Sequence, residues 1–328
     1  MREIKVAILG KWAFHATEFV LENRKVPGCN MVAAWDPDPI EGRRWAEELN
    51  MVFYEDYHTI LADPEIDAVL VATATVDHAE ICVQAARAGK AIMVEKAPSL
   101  TAESALAVRE AVEEAGVLFS FSDPLVKPEI LQLKKMIDEG FFGKITMVNV
   151  RYAHAKAMDG ELPDHLYHLN EAGAGVSVDI GCHGTHMLLW FLGLPQKCVS
   201  VFGSFTEQAK KNGIDDNSSV TFLYENGVIA TVQSSWAARG EQGTIDVYGT
   251  NGCAHAFGGK LHYCLADKQW HTITRDEMPK QESKPMDQWL DALINGNQYP
   301  RYHEAEAEQL AKMLGAAIAT ANNGYEVK

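Results

Sequence analysis

Apolar runs and amphipathic stretches alternate along the first third of the chain. Ile4–Leu9 is a β-rich run ending at Gly10, and Phe14–Glu22 has helical spacing. Met31–Trp35 is a second apolar run ending at Asp36, followed by a helical Glu41–Leu49. Ala68–Ala72, Ala91–Val94 and Val117–Phe121 read as further strands. His78–Ala88, closed by Gly89, and Ala102–Ala115, closed by Gly116, are the helices between them. Strands alternating with helices predict a doubly wound, Rossmann-type parallel sheet, which binds its ligand beyond the carboxyl ends of the strands.

After Asp123-Pro124 the period changes. Lys127–Glu139 reads as a helix stopped by Gly140. In Ile145–His154, Met147, Asn149 and Arg151 alternate with Val148, Val150 and Tyr152. Alternating runs at Cys198–Phe205, Ser219–Glu225, Val228–Ser235 and Thr244–Tyr248 follow, then shorter ones at Ala254–Phe257, Leu261–Leu265 and Trp270–Ile273. Turn signals at Glu225-Asn226-Gly227 and Thr250-Asn251-Gly252 predict a large, open, mostly antiparallel sheet. Helices at Met286–Asn295 and His303–Asn322, the latter closed by Gly324, finish the chain. The expected α/β architecture is thus a dinucleotide-binding domain over residues 1–122 and an α+β substrate-binding and oligomerisation domain over 123–328. A sheet covered by helices on one face leaves the other for solvent or a partner, so a homodimer or homotetramer through that face is expected.

The 328 residues carry a net charge of -16, which repels a nucleic-acid backbone and an anionic membrane surface. No apolar run is long enough to span a bilayer, and the charged opening leading straight into a strand is not a secretory signal. Six scattered cysteines fit a reducing cytosol, so a cytoplasmic location is expected.

The candidate chemistry lies at the predicted strand ends. A G-x-G-x-x-G turn would place glycines at 10, 12 and 15, but only Gly10 is present, with Trp12 and His15 at the other positions. The amides of Trp12, Ala13 and Phe14, at the start of a helix, still offer donors to an anion. Asp36 at the end of the second strand suits ribose hydroxyls and repels a 2′-phosphate, favouring NAD over NADP. Thr73–His78 and Glu95-Lys96-Ala97-Pro98 follow the third and fourth strands, which makes Thr73, Thr75, His78, Glu95 and Lys96 cofactor candidates. Lys96 there can also stabilise a developing alkoxide.

In the second half, Asp179 and His183 lie four residues apart before the apolar run Leu188–Leu192. On one helix they share a face, where the carboxylate orients the imidazole and raises its basicity. Arg151, Tyr152, His154, His165 and His168 offer sugar-type hydrogen bonding, and Trp236 after a strand can stack on a sugar face. The histidine spacing matches no standard zinc pattern, and no metal is expected.

Taken together, Gly10, Asp36, Thr73-Ala74-Thr75-Val76-Asp77-His78, Ala88-Gly89-Lys90, Glu95-Lys96-Ala97-Pro98 and Gly175-Val-Ser-Val-Asp179-Ile-Gly-Cys-His183 resemble the Gfo/Idh/MocA (glucose–fructose oxidoreductase / inositol dehydrogenase) family nearly end to end. That resemblance implies NAD-dependent oxidation of a sugar or polyol hydroxyl, a small-molecule carbohydrate being the substrate. Lys96, Asp179 and His183 match the family's catalytic positions, with His183 the acid/base, Asp179 its orienter and Lys96 the partner of the reacting oxygen. A glycoside-cleaving or eliminating enzyme using held NAD, and a non-catalytic binding protein, are the alternatives.

Overall fold

The computed structural model describes residues 3–240 and 243–322. Contacts divide the chain into two compact units: residues 1–123 with 283–311, and residues 124–282 with 312–328.

In the first unit, the elements run β1 (Ile4–Leu9), α1 (Ala16–Asn23), β2 (Cys29–Trp35), α2 (Pro39–Glu48), β3 (Val52–Phe53), α3 (Tyr57–Ala62), β4 (Ala68–Val71), α4 (His78–Arg87), β5 (Ala91–Glu95), α5 (Ala102–Ala115) and β6 (Phe119–Ser122). The six strands are ordered β3-β2-β1-β4-β5-β6 and pair in parallel. The order reverses between β1 and β4, which opens a crevice at their carboxyl ends. Local chemistry sets the helix ends. The Asp38 carboxylate accepts from the amides of Ile40 and Glu41 at the start of α2, and the Thr101 hydroxyl accepts from Ser104 N–H at the start of α5. The two elements not anticipated are β3, too short to show alternation, and α3, whose cap Asp56 was the available signal.

Residues 283–311 cluster with the first unit, because Met286, Trp289 and Leu290 of a late helix are buried in its core beside Val20 and Met31.

In the second unit, α6 (Pro128–Asp138) leads to β7 (Ile145–Ala153). The short helices α7 (Lys156–Asp159), α8 (Leu169–Ala172) and α9 (Val176–Asp179) follow, then α10 (Gly181–Leu192). Next come β8 (Lys197–Gly203), α11 (Glu207–Asn212), β9 (Asn217–Leu223), β10 (Ile229–Ser235), β11 (Gly243–Gly249), β12 (Gly252–Phe257), β13 (Lys260–Leu265) and β14 (Trp270–Ile273). Helix α12 (Pro285–Asn295) is the late helix of the first unit, and α13 (Glu304–Thr320) follows it in sequence; the Gly324 stop lies outside the described residues. The eight strands are ordered β14-β13-β12-β11-β7-β10-β9-β8. Only β7 and β10 pair in parallel. Val148, Val150, Val232 and Val247 are buried on one face, while Val199, Val201, Ile229 and Met147 are exposed on the other. Among the described residues, no helix is long and apolar enough to cross a membrane.

Candidate active site

In the first unit, the candidate residues gather where β1, β2, β4 and β5 end. Gly10 sits against Thr73 so closely that a Cβ would stand 2.7 Å from the Thr73 Cα, and its φ is +87°. No other residue type fits there without moving β4. The Oγ1 of Thr73 is buried without a hydrogen-bond partner, a polar atom at the mouth of the sheet that a ligand can satisfy. Asp36 is buried, and its carboxylate accepts from Lys11 N–H at 2.8 Å and Asp38 N–H at 3.0 Å. Burial pushes this carboxyl up, and the two amides oppose that shift.

Nearby arginines are engaged elsewhere: Arg43 pairs with Glu55 at 2.6 Å, and Arg44 with Glu41 at 2.5 Å. Both guanidiniums are thus already paired with a carboxylate. A buried acid after β2, an unsatisfied hydroxyl after β4 and a glycine at the β1 turn fit an adenine dinucleotide of the NAD type.

Two residues of the expected cofactor set are used differently. The Ala13 amide donates to the Ala72 carbonyl at 3.0 Å, so it is not available to a phosphate. His78 is fully buried, with Nδ1 2.8 Å from the Ala97 carbonyl oxygen and Nε2 3.0 Å from that of Thr73. It therefore clasps the loops after β4 and β5 together, with both ring nitrogens engaged by carbonyls. Two carbonyls favour a doubly protonated ring; burial works the other way, outweighs them and lowers the pKa. Glu95 and Thr75 are buried beside this clasp. The Lys96 amide contacts the Glu95 carboxylate at 3.2 Å, and the Lys96–Ala97 peptide bond is cis. Trp12 is half-buried and Phe14 exposed on the β1–α1 turn.

In the second unit, Asp179 and His183 are not on one continuous helix. Asp179 ends α9, His183 lies in the first turn of α10, and Ile180 between them leaves ideal helical geometry at φ −111°, ψ −17°. Gly184 brings α10 down onto the sheet, where a Cβ would lie 2.7 Å from Val232 Cγ1 and 3.2 Å from Val150 Cγ1. That close approach seats the half-buried His183 ring 5.7 Å from the Tyr152 ring. The Asp179 carboxylate accepts from Trp236 Nε1–H at 2.9 Å.

Trp236 requires a correction: it is fully buried, edge-on to Tyr167 at 5.8 Å, and has no face to offer a sugar. Its work is to fix the Asp179 carboxylate. Arg151 requires another: strand alternation puts it on the exposed face of the sheet, opposite Tyr152 and His183. His168 forms pairs with Glu171 at 3.0 Å and Asp164 at 3.6 Å, whereas His165 is half-buried and its pKa is lowered by burial. His154 Nδ1 accepts from Lys156 N–H at 3.3 Å.

Asp215 was missed. It is buried, and its two carboxylate oxygens accept from the amides of Gly175 and Ser177, each at 2.8 Å, which caps the start of α9. The Asp215-Asp216 doublet in a loop was the only hint; Asp216 likewise ties Phe205 and Thr206.

Comparison with known proteins matches residues 4–122 to "Oxidoreductase family, NAD-binding Rossmann fold" and residues 130–255 to "GFO/IDH/MocA C-terminal domain". The chain is 29% identical over 262 residues to D-xylose dehydrogenase of Paenarthrobacter nicotinovorans, covering 73% of this chain and 66% of that protein. It is 28% identical over 258 residues to scyllo-inositol 2-dehydrogenase (NAD(+)) of Bacillus subtilis, covering 76% and 72%. Levoglucosan dehydrogenase in complex with NADH and levoglucosan shares the fold at a TM-score of 0.81 and 21% identity, covering 97% of each chain.

Proposed function

Because this chain belongs to the Gfo/Idh/MocA family of NAD-binding oxidoreductases, we propose that it oxidises a hydroxyl of a sugar, polyol or sugar derivative. The observation that carries this reading is the Asp179 carboxylate, pinned by Trp236 at the end of α9, with one residue between it and the helix that bears His183. In this reading His183 takes the hydroxyl proton, and Asp179 orients the imidazole and binds substrate. Lys96 donates a hydrogen bond to the same oxygen as negative charge develops on it. NAD, when bound, supplies the hydride acceptor. Gly10, Asp36, Thr73 and Thr75 hold that cofactor, while His78 keeps the loops after β4 and β5 in register. Tyr152, His154 and His165 line the substrate side. Among the described residues the six cysteines form no disulfide, which suits a reducing compartment.

We further propose that the exposed face of the second unit's sheet joins copies of the chain. Strand register runs a largely apolar row across it: Leu223, Ile229, Met147, Tyr248, Cys253, Cys264 and Trp270. Such a row on an open sheet marks an interaction surface.

The test is a screen for NADH formation over aldoses, inositols and anhydrosugars. A sugar or polyol that yields NADH at least about tenfold faster than the no-sugar control is expected. NAD binding without NADH from any member of the panel contradicts the reading.

A further inference from the structure

A cavity of about 340 Å³ lies in the second unit, bounded by α6, β7, β11 and the turn after β12. Tyr152 lines it, and the same ring stands 5.7 Å from the His183 ring. The cavity is therefore one side chain away from the proposed acid/base. Its volume is within the ~300–1,000 Å³ typical of small-molecule sites. Ile130, Ile245 and Ala256 form its apolar part. Lys127 and Glu129 stand at its edge; the Lys127 carbonyl accepts from the Ile130 and Leu131 amides, but neither side chain is in a hydrogen bond or ion pair with a described residue. One unpaired cation and one unpaired carboxylate leave the edge without net charge, so a phosphate or other strong anion gains nothing there. Donor and acceptor, set beside an aromatic ring and an apolar floor, match a neutral polyhydroxylated ring with polar edges and an apolar face. The glycines at 243, 258 and 259 put no side chain into this space.

We propose that this cavity is a second sugar subsite, and that the substrate is a glycoside or disaccharide whose non-reacting ring occupies it. This rests on the dehydrogenase reading above and specifies its substrate class. Binding energy from that ring then serves the reacting carbon, as remote contacts do in enzymes generally.

The experiment compares each monosaccharide of a panel (glucose, galactose, mannose, xylose) with its disaccharides and methyl glycosides, reading kcat/KM from NADH. Binding of the same compounds to the enzyme–NAD complex is read by calorimetry. The disaccharide is expected to exceed its parent by about tenfold in kcat/KM. Lys127→Ala and Glu129→Ala should each erase about fivefold or more of that margin through KM, leaving the parent sugar within about twofold. Both residues are on the edge, so the fold is spared. Equal values for parent and disaccharide, or equal losses on both in the variants, overturn the subsite. If no compound yields NADH, the dehydrogenase reading fails and calorimetry still decides the subsite. Disaccharide binding weakened by Glu129→Ala upholds it, whereas no binding, or binding unchanged in the variant, overturns it.

Discussion

At the scale of single residues, the side chains around Asp179 set the account. The Trp236 indole contributes one charge-assisted hydrogen bond from a fully buried position. Trp236→Phe keeps most of the ring and deletes only the donor. We expect a loss of about 1.5–3 kcal/mol in denaturant unfolding, in line with bonds to charged acceptors. A fall in kcat of about tenfold with NAD affinity unchanged should accompany it, since a carboxylate free to rotate orients its imidazole poorly. An unchanged kcat means that the indole does not position the acid. Asp179 and His183 stand out in the sequence by their four-residue spacing, but the helix that spacing implies is interrupted between them at Ile180. The roles of Trp236, Arg151 and His78 were not legible there. Burial decides them, and burial depends on which strand face is covered and on which carbonyls of distant loops approach a ring.

At the scale of elements, the helix boundaries place the residues proposed to act. The short helix α9 has four residues and no side-chain cap from its own N-cap, Gly175; the Asp215 carboxylate from another loop supplies the acceptors. Asp215→Ala leaves two buried amides unpaired and is expected to cost about 2–4 kcal/mol, with Asp215→Asn between it and wild type. Equal unfolding midpoints for all three proteins exclude this capping role. Most strands and long helices were visible in the sequence to within two residues, because Ile4–Leu9, Ala102–Ala115 and Trp270–Ile273 combine clean periodicity with turn or cap residues. The break at Ile180 had no such marker. It arises where α10 is drawn onto the sheet at Gly184, a tertiary contact that no local pattern records.

At the scale of the whole molecule, charge and exposed surface make two predictions. His78 has a folded-state pKa below its ordinary 6.5, chiefly because it is buried. The unfolded chain therefore binds the extra proton first, and stability falls as pH drops below about 6.5. The thermal midpoint is expected to decline from pH 7.5 to pH 5.5; a flat profile over that window excludes the buried neutral histidine. Independently, charge placed in the exposed sheet face, as in Met147→Glu with Ile229→Glu, should shift the solution mass at micromolar concentration to that of one chain. A wild-type protein that already sedimented as a single chain contradicts the assembly.

The central claim, that Lys96, Asp179 and His183 act on one hydroxyl, is tested most directly by NADH formation from the best sugar of the screen in Lys96→Met, Asp179→Asn and His183→Ala. Each variant should lose at least about a hundredfold in kcat, with the Kd for NAD within a few-fold of wild type. Wild-type turnover by any one of the three contradicts it.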